Sequence, residues 1–501
     1  MKKLMIVSVA LAALAAQAGL KLGTPFADGM VLQRGMNVPV WGWADAGEEV
    51  TVAFAGQTRT AKADAAGKWR VDLAPLETSK EGRTFEVSIK NKDKVEVKDV
   101  LVGEVWYCCG QSNTEFPLVG GSPRFRDRQG AMVAQVTHRP FIRFAYCSNY
   151  KAAAAPKAKA DYPVAWKAFT PENLGKSPSF SAMGVYYALE LYAALEIPVG
   201  IIGSYWGGTR AEPWTPREGF AATKGCEKEA AYQPEVADFK PERMKELGYS
   251  RQTFRDQPMA LWNEMVAPWT PFAMRGFIWY QGCSNSKDYA RYATIMHALY
   301  NGWSKCFENP DLKLYFVQLA PWGTDIIPYI QQAQAKFVAE EKNAAMAVIN
   351  DLGNLRDIHP NEKELVAKRL ALHALKRDYG FTEIEDDSPT LKSWKVEGDK
   401  FVMEFNHAKR LYVYNADRSL ANGFEIAGAD GKFVPAKIQN AVASKRDGKP
   451  VYLGTLDGPR IVVSAEGVKE PKKLRYLYSS PWFGAIYNEV NLPLGAFHIG
   501  D

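Results

Sequence analysis

The feature that most restricts how this chain can fold is a change of rhythm near residue 99. From about 99 to 385, short apolar runs alternate with stretches of helical periodicity. The runs are Val105–Cys108, Val199–Ile202, Gly276–Tyr280, Leu314–Val317 and Ala345–Ile349. Between them, Ala182, Val185, Tyr186, Leu189 and Ala193 recur on one helical face, as do Tyr292, Met296, Leu299 and Trp303. A last helix is expected to open at Pro360, carry Val366, Leu370, Ala371 and Ala374, and stop before Gly380. Strands this apolar must be covered on both faces, and helices between them supply the cover. The expectation is an α/β region with a mostly parallel sheet. A charged stretch, about 224–256, interrupts it and reads as a surface insertion.

The flanks read differently. Runs such as Val38–Trp43 and Glu49–Phe54 alternate with turn clusters, so 19–98 is expected to be a sandwich-like β domain and 386–501 a second β domain. Three regions agree with a length of 501 residues, which exceeds what one core can organise. Residues 1–18 read as a signal peptide: Lys2 and Lys3, an apolar stretch from Leu4 to Ala16, then Ala16-Gln17-Ala18. The expected location is therefore secreted or periplasmic. No segment is long and apolar enough for a membrane span. The net charge of +6 is spread along the chain without a basic block, which argues against nucleic acid as a partner. Six cysteines leave room for one or two disulfides in an exported protein.

Ligands of a parallel sheet bind outside the carboxyl ends of its strands. Gly110-Gln111-Ser112-Asn113 follows the first strand, and Trp206-Gly207-Gly208-Thr209 the second. Gln281-Gly282-Cys283-Ser284-Asn285 follows the third, and Asp357-Ile358-His359-Pro360 the fifth. A serine needs an adjacent base to attack an ester; His359 can be that base, and Asp357 can hold its tautomer. An oxyanion needs preorganised donors. Candidates are the Ser112 N–H, an N–H of Gly207 or Gly208, and the Asn285 amide. Gln111, Trp206, Gln281 and Trp322 are expected to contact substrate. Trp206, Trp214, Trp279 and Trp322 are weighed as sugar-stacking rings against a place in the core. Each motif alone is more often a turn or a cap; their convergence on one edge favours catalysis. No Gly-x-Ser-x-Gly elbow, His-Glu-x-x-His zinc site or phosphate loop is present. A thiol nucleophile at Cys108 or Cys109 is disfavoured by their apolar setting. His138, His297, His373, His407 and His498 lack a partner pattern.

Together, Gly103-Glu104-Val105-Trp106 with Gly110-Gln111-Ser112-Asn113, Trp206-Gly207-Gly208-Thr209 with Glu212-Pro213-Trp214, Gly276 through Asn285, and Asp357-Ile358-His359-Pro360 resemble the four blocks of the sialate O-acetylesterase family, within the SGNH hydrolases. Asp28 through Arg34 and Leu474 through Leu494 extend the likeness to both flanks. The resemblance implies an SGNH-type, flavodoxin-like α/β/α domain flanked by β domains. It also implies a serine esterase, with neither metal nor cofactor, acting on an acetylated carbohydrate. O-acetylated sialic acids are the first expectation. The alternatives are acetylxylan or another polysaccharide, and a non-catalytic glycan-binding protein on a degenerate esterase fold. Two positions depart from the family pattern: Cys283 replaces its usual Glu, and Thr114 its usual Met. The family's acid is less strictly spaced than its histidine, so Asp351 is the fallback for Asp357.

Overall fold

Period-two burial shapes the first strands. In the computed structural model, β1 (Lys21–Leu22), β2 (Val31–Gln33), β3 (Val38–Trp43), β4 (Glu49–Phe54), β5 (Gln57–Lys62), β6 (Lys68–Leu73) and β7 (Ser79–Ile89) precede the central sheet. In β6, Trp69, Val71 and Leu73 are buried while their neighbours face solvent. The structure describes residues 19–120, 127–147, 150–175, 180–234, 251–323, 325–353, 356–414, 423–446, 449–478 and 486–500; the side chains of 251–252, 443–446 and 449–453 are not described. The signal-peptide expectation for 1–18 and much of the stretch 224–256 fall outside these residues.

The next strand joins two regions. Strand β8 (Asp93–Gly110) has 18 residues, roughly 60 Å of extended chain. Its first half alternates in burial and pairs with β7 antiparallel, and β2 joins it in parallel further on, at Leu101, Val102 and Gly103. Its second half, from Val100 onward, is buried on both faces. The 98/99 division expected from the sequence thus falls inside one continuous strand. A single hydrophobic core also runs from Leu20 to Ala374, whereas a domain boundary needs a place that few contacts cross.

The central sheet adds β9 (Arg139–Tyr146), β10 (Trp166–Phe169), β11 (Val199–Tyr205), β12 (Gly276–Tyr280), β13 (Lys313–Val317) and β14 (Ala344–Ala347), in the order β10-β9-β11-β8-β12-β13-β14. All neighbours along it pair in parallel except β10, an antiparallel edge. Helices α2 (Ala182–Leu195) and α3 (Tyr289–Cys306) cover opposite faces. Adjacent strand residues show this: the Trp106 ring meets Tyr187 of α2, while the Tyr107 ring meets Trp303 of α3. Helix α4 (Ile327–Glu340) packs beside α3, and α5 (Lys363–Asp378) beside α2.

One buried carboxylate ties these parts together. Glu104, fully inside β8, accepts from Arg34 and Gln33 of the N-terminal strands, from Arg275 before β12, and from Tyr379 after α5. Burial pushes its pKa up, but the hydrogen bond and charge of Arg275, then Arg34, outweigh burial and hold the carboxyl below its ordinary range. Beyond α5, the described residues form three four-stranded antiparallel sheets around a separate core that includes Phe401, Val413, Ile426 and Leu474. All six cysteines are free thiols, so the disulfides allowed by the sequence are not formed. Among the described residues, no helix is long and apolar enough to cross a membrane.

Candidate active site

Register brings the three loops together. Gly110 is the Cα partner of both Tyr205 and Tyr280, so β8, β11 and β12 end level. The ladder runs one step further: Trp206 N–H donates to Gly110 O at 3.1 Å, and Gln111 N–H to Tyr280 O at 3.1 Å. The chain leaves β8 first toward β11 and later toward β12, which makes the end of β8 the topological switch point. Gly110 has φ +142°, and a Cβ there would lie 2.4 Å from Tyr280 O and 2.5 Å from Thr114 Oγ1. Only glycine permits this turn, which sets Ser112 at the head of the short helix α1 (Ser112–Glu115). Thr114 donates its hydroxyl to Cys109 O and Tyr280 O, so this departure from the family pattern has become a tie between strand ends.

Three side chains form a hydrogen-bonded series. His359 Nε2 lies 2.9 Å from Ser112 Oγ, and His359 Nδ1 lies 2.9 Å from Asp357 Oδ1. The same carboxyl oxygen accepts the backbone N–H of His359 at 3.1 Å, so one acid holds both ring and main chain. A carboxylate accepts only, so Nδ1 carries the proton and Nε2 offers a lone pair to the hydroxyl. Asp357 is buried, whereas Ser112 and His359 are half-buried and reachable. The fallback acid is elsewhere: Asp351 forms a two-pronged pair with Arg369 at 2.6 Å each.

The expected oxyanion donors are only partly free. Gly207 N–H already donates to Glu115 Oε2 at 2.6 Å, a charge-assisted bond that another acceptor must displace. Gly208 is exposed, with φ +73°. Asn285 is buried; its Oδ1 accepts from Ala211 N–H and Gln281, and its Nδ2 donates to buried Glu212 at 2.9 Å. One Asn285 hydrogen remains beyond that bond.

Two side chains expected at the substrate, Gln281 and Gln111, also brace the loops. Gln281 is fully buried; its amide donates to Thr209 O and Asn285 Oδ1 and accepts from Tyr292. Gln111, also buried, accepts from Gly282 N–H and so links the first and third loops. The loops thus take up both ends of the Gln281 amide and the carbonyl oxygen of Gln111. Trp214 and Trp279 lie in the core in edge-to-face contact with each other. Trp206 is largely buried against Tyr150 and the Arg255 guanidinium, and Trp322 is half-buried. Cys108 and Cys109 are inside β8, and burial pushes the Cys108 thiol up to about 12. Cys283 sits beside Tyr280, its thiol also raised by burial to about 12.

Three residues that the sequence alone does not single out complete the site. Glu115 caps Gly207 and accepts the Tyr150 hydroxyl. Arg255, at the end of the charged stretch 224–256, donates to Gly207 O and Gly208 O at 2.8 and 3.1 Å. Lys363, at the head of α5, donates to Asn113 Oδ1 at 2.6 Å. None has a local signature, since each of these partners lies far off in sequence. The other histidines are outside the site; His373, for example, bonds Asp386, and His297 bonds Glu340.

Comparison with known proteins adds an independent line. The family described as carbohydrate esterase, sialic acid-specific acetylesterase matches residues 102–375. The chain is 29% identical over 471 residues to the sialate O-acetylesterase of Rattus norvegicus, covering 82% of this chain and 83% of that protein. It is 27% identical over 467 residues to the Homo sapiens sialate O-acetylesterase, covering 85% and 84%. A carbohydrate acetylesterase from Xanthomonas citri has a TM-score of 0.79 and 30% identity, over 96% of this chain and 99% of that one.

Proposed function

The chain belongs to the sialic acid-specific acetylesterase family of carbohydrate esterases, and from that premise we propose that Ser112 is its nucleophile, His359 its base and Asp357 the acid that orients the base. It is an esterase that removes O-acetyl groups from sugars. The observation that carries the residue assignment is the pair of 2.9 Å contacts at the two nitrogens of His359.

The chemistry follows from those contacts. Ser112 Oγ attacks the acetyl carbonyl as its proton passes to His359 Nε2. The resulting imidazolium faces Asp357, and the oxyanion faces amide donors. We assign these to the Ser112 N–H at the head of α1, the Gly208 N–H and the second Asn285 hydrogen, because the Gly207 N–H is engaged by Glu115. Collapse breaks the ester bond and returns the proton to the sugar oxygen, leaving an acetyl group on Ser112. Water then gives its proton to His359 and attacks that acetyl group. Acetate leaves, and Oγ recovers the proton.

We read the middle region as an SGNH-type α/β/α domain, a reading supported by the parallel strand order and by the loops at the carboxyl ends of β8, β11 and β12. O-acetylated sialic acids are the proposed substrate, on the names of the curated relatives. Export is proposed on Lys2, Lys3 and the apolar stretch after them. The test is acetate release from acetylated sialic acid, acetylated mucin glycans and acetylated xylan. The expected result is the fastest release from sialic acid, with a loss on the order of a thousandfold or more in Ser112→Ala. Near-normal rates in that variant contradict the nucleophile assignment. Glycan binding without acetate release supports a binding protein, and fastest release from xylan transfers the substrate assignment.

A further inference from the structure

Lys363 is a buried side chain for which the reaction above has no use. It is 0% exposed, and it heads α5. Both facts count against an ammonium: burial strips its hydration, and a helix start carries partial positive charge. Burial is also the main reason its pKa falls to about 7, with the nearby charges of Asp127, Cys283, Glu362 and Asp357 opposing the fall. An apolar side chain of this length would be cheaper here, so the amine calls for an explanation beyond packing.

Its contacts supply one. Nζ donates to Asn113 Oδ1 at 2.6 Å and lies 4.6 Å from the centre of the Phe116 ring and 5.4 Å from that of Tyr280. Asn113 in turn donates through Nδ2 to the carbonyl of Ile358 at 3.1 Å. Asn113 follows Ser112 in the chain, and Ile358 precedes His359. One amide therefore spans the two loops whose separation sets the distance between Ser112 Oγ and His359 Nε2. Phe116, which receives the ammonium on its ring, also packs against the His359 ring with centroids 6.4 Å apart.

We propose that Lys363 and Asn113 form a positioning clamp for ester cleavage, in which the buried amine fixes the Asn113 amide and the amide holds the Ser112 turn against the His359 loop. Neither residue touches the reacting atoms. The hydrogen bond from Lys363 polarises the amide and so strengthens its bond to Ile358. The clamp rests on the reading of Ser112 and His359 as nucleophile and base.

The test compares Lys363→Met, Asn113→Ala, their double variant and Ser112→Ala on an aryl acetate, with rates normalised to the folded fraction from circular dichroism. Loosening the clamp misplaces the base without removing a substrate contact. The expected loss is on the order of 10- to 100-fold in kcat, with KM within about threefold. Because the two residues act as one unit, the double variant should fall no further than the weaker single variant. If Lys363→Met does not fold, Asn113→Ala reads the same clamp from its other end. A folded single variant with kcat within about twofold of the parent overturns the clamp, as do losses that multiply in the double variant. If Ser112→Ala is inactive while the clamp variants are not, only the clamp fails. If Ser112→Ala keeps its activity, the underlying assignment fails first.

Discussion

Replacing Asp357 by Asn separates the two acids that the sequence left as alternatives. The substitution keeps size and shape but removes the charge facing Nδ1 of His359. That charge matters most when the ring is an imidazolium, in the transition state. With charge centres about 4 Å apart and an effective dielectric of about 20, suited to side chains about one-tenth exposed, the attraction is about 4 kcal/mol. At 1.36 kcal/mol per factor of ten, kcat should fall about a thousandfold, while KM changes little because Asp357 faces the ring. Asp351→Asn should do the reverse. It leaves Arg369, itself 9% exposed, without its two-pronged partner, so stability should drop by about 3 kcal/mol. Its kcat per folded molecule should stay within about threefold of the parent. The assay is acetate release from an aryl acetate, with folded fractions from circular dichroism and urea midpoints measured on the same preparations. A kcat within tenfold of the parent in Asp357→Asn refutes the reasoning. Equal kcat losses in the two variants refute it too.

Two further perturbations test the frame. Glu104→Gln leaves the partly exposed Arg34 and Arg275 guanidinium groups facing a neutral amide, and should destabilise the protein by about 2–3 kcal/mol in urea unfolding; a loss below about 1 kcal/mol contradicts the linking role of that residue. Glu264 is buried with Oε1 unpartnered, and burial, then the neighbouring Asp161 carboxylate, raises it from 4.5 to about 7. The native state therefore favours the protonated form, so this stabilisation is full below the unfolded value and is lost as pH rises through about 7. Glu264→Gln should cancel on the order of 2 kcal/mol of the stability difference between pH 5 and pH 8. An unchanged pH slope in that variant counts against the shift.

The strand-end loops were legible because their markers are local. Gly110 must turn sharply where an apolar run stops, and four such runs end in polar, glycine-bearing segments. A parallel sheet then brings those ends to one edge, which is why Ser112 and His359 could be paired across 247 positions. Strands β9 and β10 were not legible. In β9, Arg139, Pro140 and Arg143 interrupt the apolar pattern, and the pairing of Arg143 with Asp99, far off in sequence, is one that only folding makes. The division at 98/99 falls inside a strand for a related reason. Alternating and continuous burial occur within one strand, β8, so a change of pattern does not by itself mark a break in the chain's structure. That Gln111 and Gln281 also brace the loops was not legible, because composition cannot say which polar side chains the fold itself will bond. Glu115, Arg255 and Lys363 escaped notice because their meaning lies in partners that only folding brings near.

The most direct measurement asks where the acetyl group goes. The protein is mixed with excess acetylated sugar, quenched in acid within the first turnover, digested and weighed peptide by peptide. The account predicts one added acetyl mass on the peptide containing Ser112, absent in Ser112→Ala and cleared on longer incubation in the parent. Acetate release at an undiminished rate from Ser112→Ala, or an acetyl group trapped on any other residue, contradicts it.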